Sequence, residues 1–289
     1  MSIWKEYLHP QSVKEAVDAL ASAPTPAIPI AGGTDLMLDL QQGRHAPVHT
    51  LVDLTGIAEM RALEIRGEKL FIGAGVPHNR IVESALAQEH AQSLVESCGL
   101  IGGPQVRNSA TLGGNVAHAL PAADGTIGLL ALEAEAEIAS PSSRRLLPLN
   151  QLFIGPGKSI LKADEILVGF YIPLQKPHQA SAFNRVMRAQ GIALPILNLA
   201  AWLERDGDTI HAARISVGPA GPTPFRASQT ETFLAGKTFT LETISAAQAT
   251  LLAEAKFRTS PARATAEYRR ELVVVLLKNA LSKAWERAK

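Results

Sequence analysis

Two glycine-bearing stretches constrain this chain more than anything else in it: Ala31-Gly32-Gly33-Thr34-Asp35-Leu36 and Thr111-Leu112-Gly113-Gly114-Asn115. Each adjoins residues that read as strand. Glycine lets the main chain come close to a ligand because no Cβ intervenes. A helix N-terminus also presents unpaired N–H groups and a partial positive charge, so a strand–Gly-Gly–helix junction suits a phosphate. Taken alone, the first pair reads equally as a tight turn. Two such stretches, with the acceptor Asp124 soon after the second, point to one extended ligand gripped between two lobes.

The commoner phosphate motifs are absent. Gly73-Ala74-Gly75 is followed by Val76, Pro77 and His78, so the third glycine of a dinucleotide loop is missing. Gly155-Pro156-Gly157-Lys158-Ser159 has Leu152 where a P-loop needs its first glycine, and it reads as a turn with a solvated Lys158. Composition narrows the field further. A net charge of +1 gives no electrostatic case for nucleic acid. The apolar runs fall short of the roughly 20 residues of a membrane span. The start, Met1-Ser2-Ile3-Trp4-Lys5-Glu6, lacks the basic and apolar regions of a signal peptide, so the expected location is cytoplasmic. Cys98 is the single cysteine, which rules out an internal disulfide, a four-cysteine iron–sulfur cluster or a Cys-rich zinc site in this chain. It reads as a buried apolar residue, and no metal site is expected.

Along the chain, Ser12-Val13-Lys14-Glu15 reads as a capping box opening a helix with Val13, Ala16, Val17 and Leu20 on one face. Ala27–Ile30 and Thr50–Leu54 read as strands, with Leu36, Met37 and Leu40 on a helix between them. This first unit spans residues 1–55. In residues 56–176, Leu70–Ala74, Ala136–Ala139 and Ile166–Ile172 read as strands, Asn79–Gln88 and Leu129–Leu132 as helical. The composition shifts near Leu174–Gln179. Residues 177–289 then carry a strand at Ala212–Val217 and helices near 241–256 and 261–289, the last with Leu272, Val275, Leu276 and Leu281 towards one side.

Small residues dominate Gly102 to Asp124, which permits close approach of a flat or anionic ligand. Thr111 and Asn115 supply directional hydrogen bonds, and Asp124 suits a hydroxyl pair. Arg107 reads either as a phosphate contact or as a structural ion pair or carbonyl clamp. His118 reads as a structural histidine or, less readily, a proton shuttle. Asp35 would repel phosphate if turned inward, so it is expected to cap the following helix or face away.

Ala-Gly-Gly-Thr-Asp-Leu at 31–36, Pro-Gln-Val-Arg-Asn and Ala-Thr-Leu-Gly-Gly-Asn at 104–115, and Pro-Ala-Ala-Asp at 121–124 together resemble the FAD-binding medium subunits of molybdenum hydroxylases. These are the xanthine dehydrogenase and carbon monoxide dehydrogenase relatives, and the resemblance runs over essentially the whole chain. Gly155–Lys158 and Gly218–Pro224 look most like the bacterial xanthine dehydrogenase branch. The resemblance implies an α+β chain: a two-lobed FAD-binding fold of the vanillyl-alcohol-oxidase/PCMH type, then a C-terminal α+β domain made of a small sheet with helices. It implies that Ile30, Ala31, Gly32, Gly33, Thr34, Asp35 and Leu36 wrap the FAD diphosphate. Ile101, Gly102, Ala110, Thr111, Gly114, Asn115, Ala117 and His118 would line the rest of the cofactor site. Asp124 would hold ribityl or ribose hydroxyls, and Ile166 and Leu167 would touch the adenine or flavin edge.

The implied function is an FAD-dependent oxidoreductase subunit of the xanthine dehydrogenase activity class. It would take electrons from [2Fe-2S] clusters of a small subunit, fed by a molybdopterin-binding large subunit, and pass them to NAD+ or another acceptor. No side chain of this chain is expected to be catalytic. Where many relatives carry a lysine near the flavin, this chain has Phe183-Asn184-Arg185. A cation survives there as Arg185, whose pKa cannot fall as a lysine's can. Two other readings stand beside this one: a self-sufficient FAD oxidase or dehydrogenase, and a flavin-free scaffold subunit.

Overall fold

The computed structural model describes residues 3–188 and 194–289; Met1 and Ser2, the first residues of the start considered above, lie outside them. The N-terminal strands Glu6–Leu8, Thr50–Asp53 and Ala27–Ile30 form a sheet in that order, and both pairings are parallel. Parallel neighbours need crossover connections. The helices Val13–Ser22 and Leu36–Gln41 supply them. Val13, Ala16, Val17 and Leu20 are buried, as their spacing predicts. Ser12 caps the first helix by accepting from the Glu15 amide at 3.2 Å. The return bond of the expected capping box is displaced by one residue, because the Glu15 carboxylate accepts from the Gln11 amide at 2.8 Å.

A second sheet runs Leu63–Arg66, Lys69–Gly73, Ile166–Pro173, Glu135–Ala139, Arg144–Pro148, with every neighbour antiparallel. Ile166–Pro173 is its middle strand and is almost wholly buried. Between Gly73 and Glu135 the chain leaves the sheet and builds a layer of six short helices. The single helix expected over Asn79–Gln88 is two, His78–Val82 and Ala85–His90. The break falls at Ser84, whose hydroxyl accepts from the Ala87 amide and starts a new helix. Cys98 sits on the next helix with no exposed surface, and burial raises its thiol pKa.

The third sheet is antiparallel: Gln179–Met187, Pro195–Asp206, Thr209–Gly218 and Phe225–Arg226, with Lys237–Thr238 also on the third strand. The first two are long strands absent from the sequence reading, and both faces of the sheet are covered. Leu197, Leu199, Ala201 and Leu203 pack with the helices Leu241–Glu254 and Ala266–Arg287, whereas Phe183, Ala200 and Trp202 belong to the core of the preceding lobes. The last helix differs from expectation in its face. Leu276 and Leu281 are buried with Val273, Leu277, Ala280 and Ala284, but Val275 is 54% exposed, because it lies off that stripe. The architecture is the expected mixture of helix and sheet, and among the described residues there is no closed barrel. Among the described residues no helix is long and apolar enough to cross a membrane.

His78, at the start of the helical layer, fixes a pH dependence. Its amide donates to the Ala110 carbonyl at 3.1 Å, while its ring is buried with Nδ1 unpartnered. Burial, helped by the nearby Arg107 charge, pulls its pKa from 6.5 down to about 4. In the unfolded chain the imidazole takes up a proton below its ordinary pKa, and in the folded chain it does not. Stability therefore falls as pH drops through that window, by at most about 3 kcal/mol. We expect His78→Leu to flatten this part of a urea-denaturation profile between pH 7 and 4. Parallel profiles for the variant and the parent would contradict the assignment.

Candidate cofactor cleft

The first glycine stretch leaves the C-terminal end of the parallel strand Ala27–Ile30 and enters the helix Leu36–Gln41. Crevices at the carboxyl ends of parallel strands are where such sheets bind ligands. Gly33 has φ +65°, a left-handed conformation that favours glycine. Gly32 is required for a different reason. A Cβ there would overlap the carbonyl oxygen of Ser109 and lie 2.9 Å from the Ala110 Cα. The two stretches thus touch main chain to main chain. Among the described residues, the amides of Gly32, Gly33, Thr34 and Asp35 meet no backbone or side-chain acceptor. Four free donors at a strand–helix junction form an anion cradle.

Asp35 neither caps its helix nor turns away. Its side chain makes no capping bond, and its carboxylate lies 3.5 Å from Nδ1 of His118, across the cleft. Each partner shifts the other: Asp35 is lowered and His118 is raised, the hydrogen bond between them being the largest cause. His118 therefore acts as a strap between the stretches.

The second stretch is helical rather than a loop. Pro104–Ser109 and Leu112–Ala117 are short helices, and Gly113 and Gly114 lie in the first turn of the latter. The two glycines face opposite ways. Gly113 packs on Ala74, where an added Cβ would come within 2.5 Å of the Ala74 Cβ, and its amide donates to the Ala74 carbonyl at 2.8 Å. Gly114 faces solvent, as do Ala117 and His118, while Ala110 is buried beneath Gly32. Thr111 caps the helix by accepting from the Gly114 amide at 3.2 Å. Asn115 accepts from the Thr126 amide at 3.2 Å, so its carbonyl oxygen ties this helix to the next.

Arg107 is a carbonyl clamp. Its guanidinium donates to the carbonyls of Ile101 at 3.1 Å and Gly102 at 3.0 Å, and to Asn79 Oδ1 at 3.0 Å. The clamp fixes the turn in which Gly102 has φ +48°. Asp124, which begins the helix Asp124–Ala131, is buried. Its Oδ2 accepts from Arg185 Nη1 at 2.5 Å and its Oδ1 from Asn198 Nδ2 at 2.6 Å. Arg185 also donates to the Leu100 carbonyl. Both carboxylate oxygens are thus engaged by the C-terminal sheet. Burial pushes the Asp124 carboxyl up, against the pull of Arg185 and Asn198.

The structure sets Gly32 against Ser109 and Ala110 and Asp35 against His118, on the stretch that also carries Thr111, Gly114, Asn115 and Ala117. Ile166 and Leu167 lie in the middle strand of the second sheet with both side chains buried in the core. Asn198 and the Ser109 carbonyl have no part in the sequence reading. Asn198 could have been found as the one amide in the apolar run Ile196-Leu197-Asn198-Leu199-Ala200; a backbone carbonyl carries no such signal.

Residues 3–175 match the family described as the FAD binding domain in molybdopterin dehydrogenase. Residues 181–284 match the carbon monoxide dehydrogenase flavoprotein C-terminal domain. The chain is 31% identical over 280 residues to the xanthine dehydrogenase FAD-binding subunit of Escherichia coli O157:H7, covering 96% of this chain and 95% of that one. It is 31% identical over 282 residues to the carbon monoxide dehydrogenase medium chain of Hydrogenophaga pseudoflava, covering 98% and 97%. Among solved structures, a carbon monoxide dehydrogenase from Hydrogenophaga pseudoflava, in a form lacking the Mo-pyranopterin moiety, superposes with a TM-score of 0.93 at 30% identity. That superposition covers 99% of this chain and 98% of the other.

The buried Asp124–Arg185 pair predicts a strong asymmetry. Removing one member leaves an uncompensated buried charge, which costs roughly 3–5 kcal/mol. We expect Arg185→Met to lose most of that in urea unfolding, and Arg185→Met combined with Asp124→Asn to recover a large part. A double variant no more stable than Arg185→Met would contradict the pairing.

Proposed function

The chain belongs to the FAD-binding subunits of the molybdenum hydroxylase family, and on that premise we propose that it is the electron-transfer station of a xanthine dehydrogenase-like complex. Electrons would arrive from the [2Fe-2S] clusters of a small subunit, themselves reduced by a molybdopterin-binding large subunit, and leave to NAD+ or another acceptor. The single cysteine supports this division of labour, since no cluster can be held within this chain. The relatives' names differ in substrate, xanthine in one and carbon monoxide in the other, which fits substrate chemistry carried on another chain. Bound FAD would supply the redox chemistry itself.

This chain's own residues bind and orient. The observation that carries the reading is the contact of Gly32 with Ser109 and Ala110, which joins the donor-bearing first stretch to the second. In this reading the amides of Gly32 to Asp35 take the diphosphate. Ile30 and Leu36 flank that turn. Gly114, Ala117 and His118 form the open wall opposite, and Thr111 and Asn115 hold that wall in shape. Asp124 acts with Arg185 and Asn198 as a buried support; a hydroxyl of the cofactor would have to share the carboxylate with both. Residues 1–55 and 56–176 serve as the two FAD lobes and 177–289 as the C-terminal domain.

The cradle has a clean test in Gly114. It is exposed, and a Cβ there would meet only Thr111 Oγ1, at 3.2 Å. We expect Gly114→Val to fold with an unchanged far-UV spectrum while its FAD affinity falls about ten-fold or more, a loss of about 1.4 kcal/mol. Normal flavin content would contradict the site. For the relay, we expect chains carrying molybdenum and iron to co-purify with this one, and NAD+ or another acceptor to reoxidise the flavin reduced through them. A lone chain that turns over a substrate by itself would contradict it.

A further inference from the structure

The buried stripe of the last helix reads Arg269, Val273, Leu276, Leu277, Ala280, Leu281, Ala284. Its first member is a guanidinium at a core position, and Arg269 is only 2% exposed. Its Nε has no hydrogen-bond partner, and the charges acting on it are two more cations, Arg263 and Arg258. Two other buried or half-buried arginines of this chain are matched to acids: Arg185 to Asp124, Arg226 to Glu231. A buried charge left without a counter-charge is strongly unfavourable.

The preceding loop, which carries Arg258 and Arg263, folds back on itself. Ser260 and Ala264 bridge, the Arg263 amide donates to the Ser260 carbonyl at 3.0 Å, and the Ala266 amide donates to Thr259 Oγ1 at 3.0 Å. Residues 256–270 thus hold Lys256, Arg258, Arg263, Arg269 and Arg270 against one acid, Glu267, in a chain of net charge +1. Among the described residues none of the five cations forms an ion pair; Arg270 instead donates to the Leu252 carbonyl at 3.3 Å. Lys256 and Arg258 also line a cavity of about 250 Å³ with Pro121, Pro156, Gly221 and Pro222. The N-terminus of the 22-residue helix Ala266–Arg287 adds its partial positive charge to the same place.

We propose that this cluster is an anion site that takes a phosphate group, with Arg258, Arg263 and Arg269 as its donors and Lys256 at the adjoining cavity. Phosphate is favoured over a single carboxylate because several cations converge and guanidinium forks match phosphate oxygens in pairs. The group belongs either to free phosphate or to a phosphomonoester whose remainder occupies the cavity. The cavity's lining includes none of Gly32 to Asp35, and the proposal does not depend on the electron relay.

The test uses the full chain loaded with FAD, so that the glycine cradle is filled. Inorganic phosphate, AMP and chloride of equal ionic strength are compared by calorimetry and by thermal melting, with flavin absorbance followed throughout. Phosphate or AMP should bind saturably and raise Tm where chloride does not, with no flavin released. Tighter AMP binding would identify the phosphomonoester, and equal binding the free anion. Arg258→Ala should weaken binding at least ten-fold. Arg269→Met should abolish the phosphate dependence while melting no lower than the parent in its absence. If Arg269→Met does not fold, Arg263→Ala provides the second reading of the same loss. Absence of saturable binding by both anions, binding unchanged in the arginine variants, or displacement of flavin by phosphate would each overturn the proposal.

Discussion

Everything about this cleft depends on one close approach, the main chain of Gly32 lying against the Ser109 carbonyl and Ala110. Any side chain at position 32 would part the two stretches. Their contact sets four unpaired amides of one lobe beside the open helical turn of the other. The His118–Asp35 contact then straps the lobes together from the exposed side, without blocking the backbone donors. An extended ligand with a central diphosphate suits such an arrangement, because its two ends can diverge along two lobes while its charge meets N–H groups.

The C-terminal sheet completes the cleft from behind. It buries one face against its own helices and the other against the helical layer that carries the second glycine stretch. At that seam the Asp124 carboxylate accepts from Arg185 on one strand and Asn198 on the next. A charged pair in so buried a setting is weak as a source of stability but effective as a locator, since only one register of the strands satisfies it. A lysine at position 185 would lack the guanidinium fork that reaches Asp124 and the Leu100 carbonyl together.

Much of this was legible in the sequence, for identifiable reasons. The N-terminal unit has short strands, an amphipathic helix and clear caps, so its elements follow from period and punctuation. The family motifs pointed to both glycine stretches, and Gly32 of one does meet Ala110 beside the other. The strands Gln179–Met187 and Pro195–Asp206 were not legible. A sheet covered on both faces loses its alternation, and Pro195 to Trp202 is apolar except for Asn198. The second stretch misled in another way: its two glycines read alike, as bare backbone open to a ligand, whereas Gly113 serves close packing on Ala74 and only Gly114 is open. The role of Asp35 was beyond reach because it depends on a partner distant in the chain, His118; for Arg107 the carbonyl clamp was one of the readings left open, and the bonds to Ile101 and Gly102 select it.

The most direct measurement is amide hydrogen exchange on the FAD-free and FAD-loaded chain. Exchange reports the opening of individual backbone donors, and the account makes Gly32–Asp35 and Gly113–Asn115 two sides of one grip. It predicts that both segments gain protection together, with the same dependence on FAD concentration. Protection of one segment with the other unchanged at saturating FAD would contradict it.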